Sequence, residues 1–227
     1  MTSGWWIADL WQQGEVVQLA SWIFWVIVSI SLHELGHGWA ALWEGDDTPR
    51  RLGHMTINPL VHMGSTSIIA FLLIGFAWGL MPVTPSNFRH RRWGDAIVAV
   101  SGPAVNLVLA VILLTIAGVI TATTLGSDTD QQLGNWYVFF REGGRLNLLL
   151  LALNLLPIPP LDGSRILASF SNGYARLLLH PNASMFGLAF FVIVFWITPV
   201  GQVAYRSIND VALLWVGLIQ GMIMGGG

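Results

Sequence analysis

The sequence predicts an all-α, polytopic membrane protein of about five transmembrane helices, with a re-entrant segment and a small membrane-associated β-hairpin. Three observations carry that prediction. Only 10% of the 227 residues are charged and 54% are hydrophobic, where soluble domains hold about 25% charged residues. The apolar residues gather in long runs separated by short polar or proline-rich stretches. The ten Lys-or-Arg positions are all Arg, and many of them cluster at the ends of those runs. A formal net charge of −2 gives no reason to expect a nucleic-acid partner, and the lipid bilayer is the expected surrounding.

Residues 1–15 carry Trp5, Trp6 and Trp11, side chains suited to a bilayer interface. Asp9 and Glu15 stand where a signal peptide would have its basic region and cleavage site, so the first helix is expected to be retained. The first span is expected from Val16 to Trp43, longer than the ~20 residues a bilayer requires, and it ends at Glu44-Gly45-Asp46-Asp47. No Lys or Arg precedes it, and Arg50 and Arg51 follow at once. The positive-inside rule then puts the N-terminal end outside a cell membrane and the other end toward the cytoplasm.

Residues 51–61 alternate in a strand-like way around His54, Thr56 and Ile57. The apolar stretch 65–80 is short, and is bounded by Asn58-Pro59 and by Met81-Pro82-Val83-Thr84-Pro85, with Arg89, Arg91 and Arg92 beyond. Basic clusters on both sides predict that it dips into the membrane and returns. A span over 96–120, a loop over 121–144 and a span starting near Leu146 follow. The last of these meets Pro157, Pro159, Pro160 and Asp162. A loop with Arg165 and Arg176 leads to apolar stretches at 185–200 and 208–224, read as a C-terminal hairpin within 184–224. The chain is read as one domain, 1–227, with its core in 16–170.

Chemistry enters at His33-Glu34-Leu35-Gly36-His37. On a helix, residues four apart share a face, so His33 and His37 can reach one metal, with Glu34 beside them as general base. The bland alternative is a pair of histidines hydrogen-bonding across a bundle. With no cysteine in the chain, a third ligand must be His or carboxylate. Asp162 is the natural candidate, since a carboxylate in an apolar segment is costly without a partner. Its alternative is a simple Asp-Gly turn. Two histidines and a carboxylate leave the fourth position of a Zn2+ ion for water. A re-entrant 65–80 makes the first span and the one before Asp162 parallel, which brings Asp162 to the depth of the histidines. Asn106 and Asn154 either bond between helices or hold a substrate backbone or oxyanion. Gly102 is expected to allow close packing. His54 and His62 are read as solvated or structural, with contact to a metal or a substrate as the alternative, and His90 and His180 as surface loop residues.

With these residues in place, the chain resembles the site-2 protease family of intramembrane zinc metalloproteases over residues ~16–170. The resemblance rests on three ordered elements: His33-Glu34-Leu35-Gly36-His37, then Gly102-Pro103-Ala104-Val105-Asn106, then Asn154-Leu155-Leu156-Pro157 through Leu161-Asp162-Gly163. It implies one zinc held by His33, His37 and Asp162, catalysis by Glu34, a substrate strand held at Asn154, and cleavage of transmembrane segments in protein or peptide substrates. It also implies a β-hairpin after the first motif, expected at 51–61 and the following stretch, whose edge would pair with the substrate. Many members insert a PDZ domain or add a nucleotide-sensing domain, and the gaps here leave no room for either. A non-proteolytic membrane zinc-binding protein that holds transmembrane partners is the rival reading. A metal transporter is a third, and it lacks the polar path it would need.

Overall fold

In the computed structural model, which describes residues 6–124 and 131–225, helix α1 (Trp6–Gln12) turns at Gly14 into α2 (Val16–Trp43). At 1.5 Å per residue the 28 residues of α2 reach about 42 Å. The helix stops where the apolar sequence stops: Glu44 follows in turn conformation and Gly45 takes φ +96°, a value L side chains rarely adopt. The short α3 (Thr48–Arg51) comes next, then α4 (Pro59–Ile74), α5 (Arg91–Thr124), α6 (Gln131–Asn154), α7 (Asp162–Phe170), α8 (Asn172–Leu178), α9 (Ala183–Val192) and α10 (Val200–Met224). Trp5, the 125–130 part of the expected loop and Gly226–Gly227 lie outside the described residues.

Side-chain bonds give the directions of the helices. Trp22 Nε1 donates to Glu142 at 3.2 Å, Trp25 Nε1 to the Phe139 carbonyl at 2.9 Å, and Asn147 Nδ2 to Ser29 Oγ at 2.9 Å, so α2 and α6 are parallel. His37 meets Val98 while His33 meets Asn106, so α5 runs opposite to both. The interior is packed by Trp25, Val26 and Ile30 of α2 against Phe71, Leu113 and Leu146, and by Leu114 and Ala117 against Ala212 and Val216 of α10.

The segment after α4 comes back on itself. Leu80 N donates to the His62 carbonyl at 2.8 Å, and Trp78 N donates to Ser67 Oγ, which in turn donates to the Trp78 carbonyl. The end of the stretch thus lies level with the first turn of α4, as a re-entrant path requires.

Three expectations need correction. No strand occurs among the described residues, so the β-hairpin is absent. At 51–61 the local chemistry favours turn and helix: Thr56 Oγ1 accepts from Asn58 N, Asn58 Oδ1 accepts from Leu60 N, and Pro59 starts α4. Residues 76–84 carry neither helix nor strand and lead back from α4 toward α5. Second, among the described residues three helices rather than about five are long and apolar enough to cross a membrane: α2, 93–124 within α5, and α10. A fourth is possible if α8 and the helix after it, bent by 94°, count as one. Third, α6 begins at Gln131, not near Leu146, and its Arg141, Glu142 and Arg145 pair with one another. The buried Glu142 accepts from Arg141 at 2.7 Å and from Arg145, and Arg145 also lies over the Tyr205 ring. The C-terminal hairpin likewise has unequal arms, a short α9 ending in a π turn at Ile193–Ile197 and a longer α10.

Candidate active site

The His33 and His37 side chains project from one face of α2 and are 7% and 5% exposed. Their Nε2 atoms lie 3.0 Å apart, and Asp162 Oδ2 lies 3.2 Å from one and 3.3 Å from the other. Asp162 arrives from 125 residues further along the chain because α6 breaks at Pro157, Pro159 and Pro160 and α7 begins at Asp162. The broken segment is held by Tyr174 OH donating to the Pro157 carbonyl at 2.7 Å.

The protons of this cluster can be placed from its partners. His37 Nδ1 sits 2.6 Å from the Val98 carbonyl, which can only accept, so Nδ1 carries the hydrogen and Nε2 is bare. His33 Nδ1 sits 2.6 Å from Asn106 Oδ1, and its Nε2 is bare by the same logic. The neighbouring Asp162 Oδ2 is buried and has no hydrogen-bond partner. With both imidazoles neutral, three lone-pair donors within 4.8 Å of one another converge on one point. That arrangement is repulsive alone and suits a divalent cation with two imidazoles and a carboxylate as ligands. Gly102 leaves the room: a Cβ there would stand 2.6 Å from His33 Nε2 and closer still to His37 Nε2.

Glu34 is buried beside them and lines, with His33, His37 and Asp162, a largely apolar cavity of about 590 Å³. The stretch 76–81 forms another wall, with Gly79 set against Glu34 so closely that a Cβ would collide with its carboxylate. Asn154, the last residue of α6, also faces this cavity. Asn106 does not. It is fully buried behind the histidines, with Oδ1 on His33 and Nδ2 donating to Asn147 Oδ1 at 2.9 Å. His54 and His62 stay outside the three-ligand group, and His62 Nε2 donates to the Thr56 carbonyl at 2.6 Å.

Several contributors are passed over by the sequence reading. Asn147 stands out only as one of two asparagines in the apolar run after Arg145, and Asp95 as a charge near the start of α5. Asp95 accepts from Arg165 at 2.5 Å and so ties α7, and with it Asp162, to α5. Glu44 and Asp46 read as a polar helix end, yet both are buried. Asp46 accepts from Thr48 N and Oγ1, Thr84 N and Asn87 Nδ2, and Glu44 accepts from His90 N. His90, exposed as expected, thus joins the end of α2 to the returning segment.

A His-Glu-x-x-His pair completed by a distant carboxylate, on helices of bilayer length, defines a membrane metallopeptidase. The chain belongs to peptidase family M50, the site-2 protease family, whose sequence pattern matches residues 21–198. Among its relatives is a Bacillus subtilis (strain 168) protein named as a zinc metalloprotease, YwhC, 33% identical over 78% of this chain and 80% of its own. Another, named as the zinc metalloprotease Rip2 of Mycolicibacterium smegmatis, is 32% identical over 81% of this chain and 68% of its own; Rip2 of Mycobacterium tuberculosis (strain H37Rv) is 29% identical over 82% and 73%. No solved structure matches the chain. The protein is a multi-pass membrane zinc metalloprotease.

Proposed function

We propose that this protease cuts transmembrane segments of membrane-protein substrates, with His33, His37 and Asp162 holding its single zinc ion. The observation that carries the reading is the convergence of three bare donor atoms on the wall of a mostly apolar cavity that also holds Glu34. Bound zinc supplies Lewis-acid polarisation and lowers the pKa of bound water toward ~7. Glu34 takes the proton from the attacking water and passes it to the leaving amide nitrogen as the C–O bond forms and the C–N bond breaks.

The remaining residues handle the substrate. Trp78 and Leu80 bond their backbone N–H groups to α4, and the segment 76–81 that carries them presents an edge of backbone to the cavity. That edge, lying along the cavity wall, supports pairing with an unwound substrate strand, in place of residues 51–61. Asn154 lies across the cavity to hold the same backbone. Asn106 supports the metal site rather than the substrate. The chain acts as one membrane-embedded domain, 1–227, with its N-terminus outside and its site toward the cytoplasm, the side marked by Arg50, Arg51 and Arg89.

The test is zinc content together with cleavage of a single-span substrate in liposomes, comparing wild type with Glu34→Gln. Equal zinc and a loss of about 10²–10⁴-fold in turnover is the expected result. Activity surviving in the variant removes Glu34 as the base, and zinc without cleavage in wild type on a panel of single-span substrates points to a non-proteolytic binder.

A further inference from the structure

We infer that Asn147 on α6 is a positioning residue for the metal site, acting through Asn106 to hold His33 in its metal-binding tautomer. The inference rests on the reading of His33 as a zinc ligand. It starts from a group whose polarity is fixed. The Gly143 carbonyl can only accept, and it lies 2.9 Å from the Asn147 amide, so that end of the amide is Nδ2. The second Nδ2 hydrogen goes to Ser29 Oγ at 2.9 Å. Asn147 Oδ1 must then face Asn106, and it accepts from Asn106 Nδ2 at 2.9 Å. That turns Asn106 Oδ1 toward His33 at 2.6 Å, which requires hydrogen on Nδ1 and leaves Nε2 bare.

Each link is buried, with Ser29, Asn106 and Asn147 all at 0% exposure, so water does not offer substitute partners. Without Asn147 the Asn106 amide is free to turn over. Its NH2 group would then face His33, select the Nε2–H tautomer and point a hydrogen at the metal position. One amide on a third helix thus decides the chemistry of a ligand on α2 without touching it. Supporting partners of this kind shift metal affinity by about 10–100-fold.

The experiment is a chelator-competition titration of zinc on the full chain in detergent. Asn147→Leu is expected to weaken binding about 10–100-fold. Asn147→Asp, neutral as the carboxylic acid in this buried site, keeps an oxygen that accepts from Asn106 Nδ2 and an O–H that donates to the Gly143 carbonyl, and is expected to stay close to wild type. A packing role predicts the reverse order, because a buried carboxyl group is the more disruptive change. Nitrogen-15 spectra of the metal-free protein should show His33 with Nδ1–H in wild type and a gain of Nε2–H in Asn147→Leu. Wild-type zinc affinity in Asn147→Leu, or equal or greater loss in Asn147→Asp, overturns the inference. Should Asn147→Leu not fold, Asn147→Ala makes the same comparison. His33→Ala separates the two readings. Zinc retained there overturns the ligand assignment, whereas zinc lost there but retained in Asn147→Leu overturns the positioning role alone.

Discussion

At the residue scale, the site depends on what is missing as much as on what is present. Gly102 gives up a methyl group at the spot where two imidazole nitrogens and a carboxylate meet, and the helix around it loses about 1 kcal/mol of intrinsic stability relative to alanine. Gly102→Ala should therefore leave α5 intact or firmer while weakening zinc at least tenfold. Paired measurements of thermal unfolding and chelator competition check this, and unchanged zinc affinity would show that the histidines have another place to go. The histidine pair, Glu34 and Asp162 stand out in the sequence as candidates because metal chemistry restricts residue type and spacing. Asn147 does not, because an asparagine in an apolar helix has many bonding uses and only its neighbours reveal which one applies.

Two elements hold themselves in place with buried charge. At the end of α2, burial alone would raise the Asp46 carboxyl, but the bonds it accepts from Thr48, Thr84 and Asn87 outweigh that and hold its pKa below the ordinary value. A group held low when folded adds stability that is complete above its unfolded pKa of about 3.9 and is lost as pH falls through the lower folded value. Wild type should thus lose stability below about pH 4. Asp46→Asn should be less stable at neutral pH and flatter toward acid, and parallel unfolding curves for the two proteins would count against the assignment.

Along α6, Glu142 neutralises one of two neighbouring guanidiniums in a buried setting. Removing one member of such a cluster costs about 3–5 kcal/mol, because the remaining charges stay buried without their partner. Glu142→Leu should show that loss in detergent unfolding, and a neutral effect would mean that Arg141 and Arg145 escape to solvent. Those charges also explain why the sequence reading starts this helix near Leu146: a hydropathy argument treats Arg, Glu and Arg as loop unless it knows that they bind one another.

At the scale of the whole molecule, the parallel run of α2 and α6 sets the topology. Two segments can be parallel with α5 between them only if the intervening α4 region returns to the side from which it came. The chain contains no cysteine, so single cysteines give a clean readout. Arg50→Cys and Arg176→Cys should label from the cytoplasmic side of sealed vesicles, and Gln12→Cys and Gly134→Cys from the opposite side. Labelling of Gln12→Cys and Arg50→Cys from the same side would break the proposed arrangement.

The sequence by itself determined the membrane class, the metalloprotease chemistry, the ligand set to test, and the parallel path that brings them together. These follow from composition and from residue types that few other roles tolerate. Only the tertiary structure decided that the cavity wall is built from 76–81 rather than 51–61, that the charges of α6 pair with one another, and that Asn106 stands behind His33. The physical reason is common to all three: the partner that satisfies each polar group is distant in sequence, or comes from a local cap that outweighs an alternating pattern.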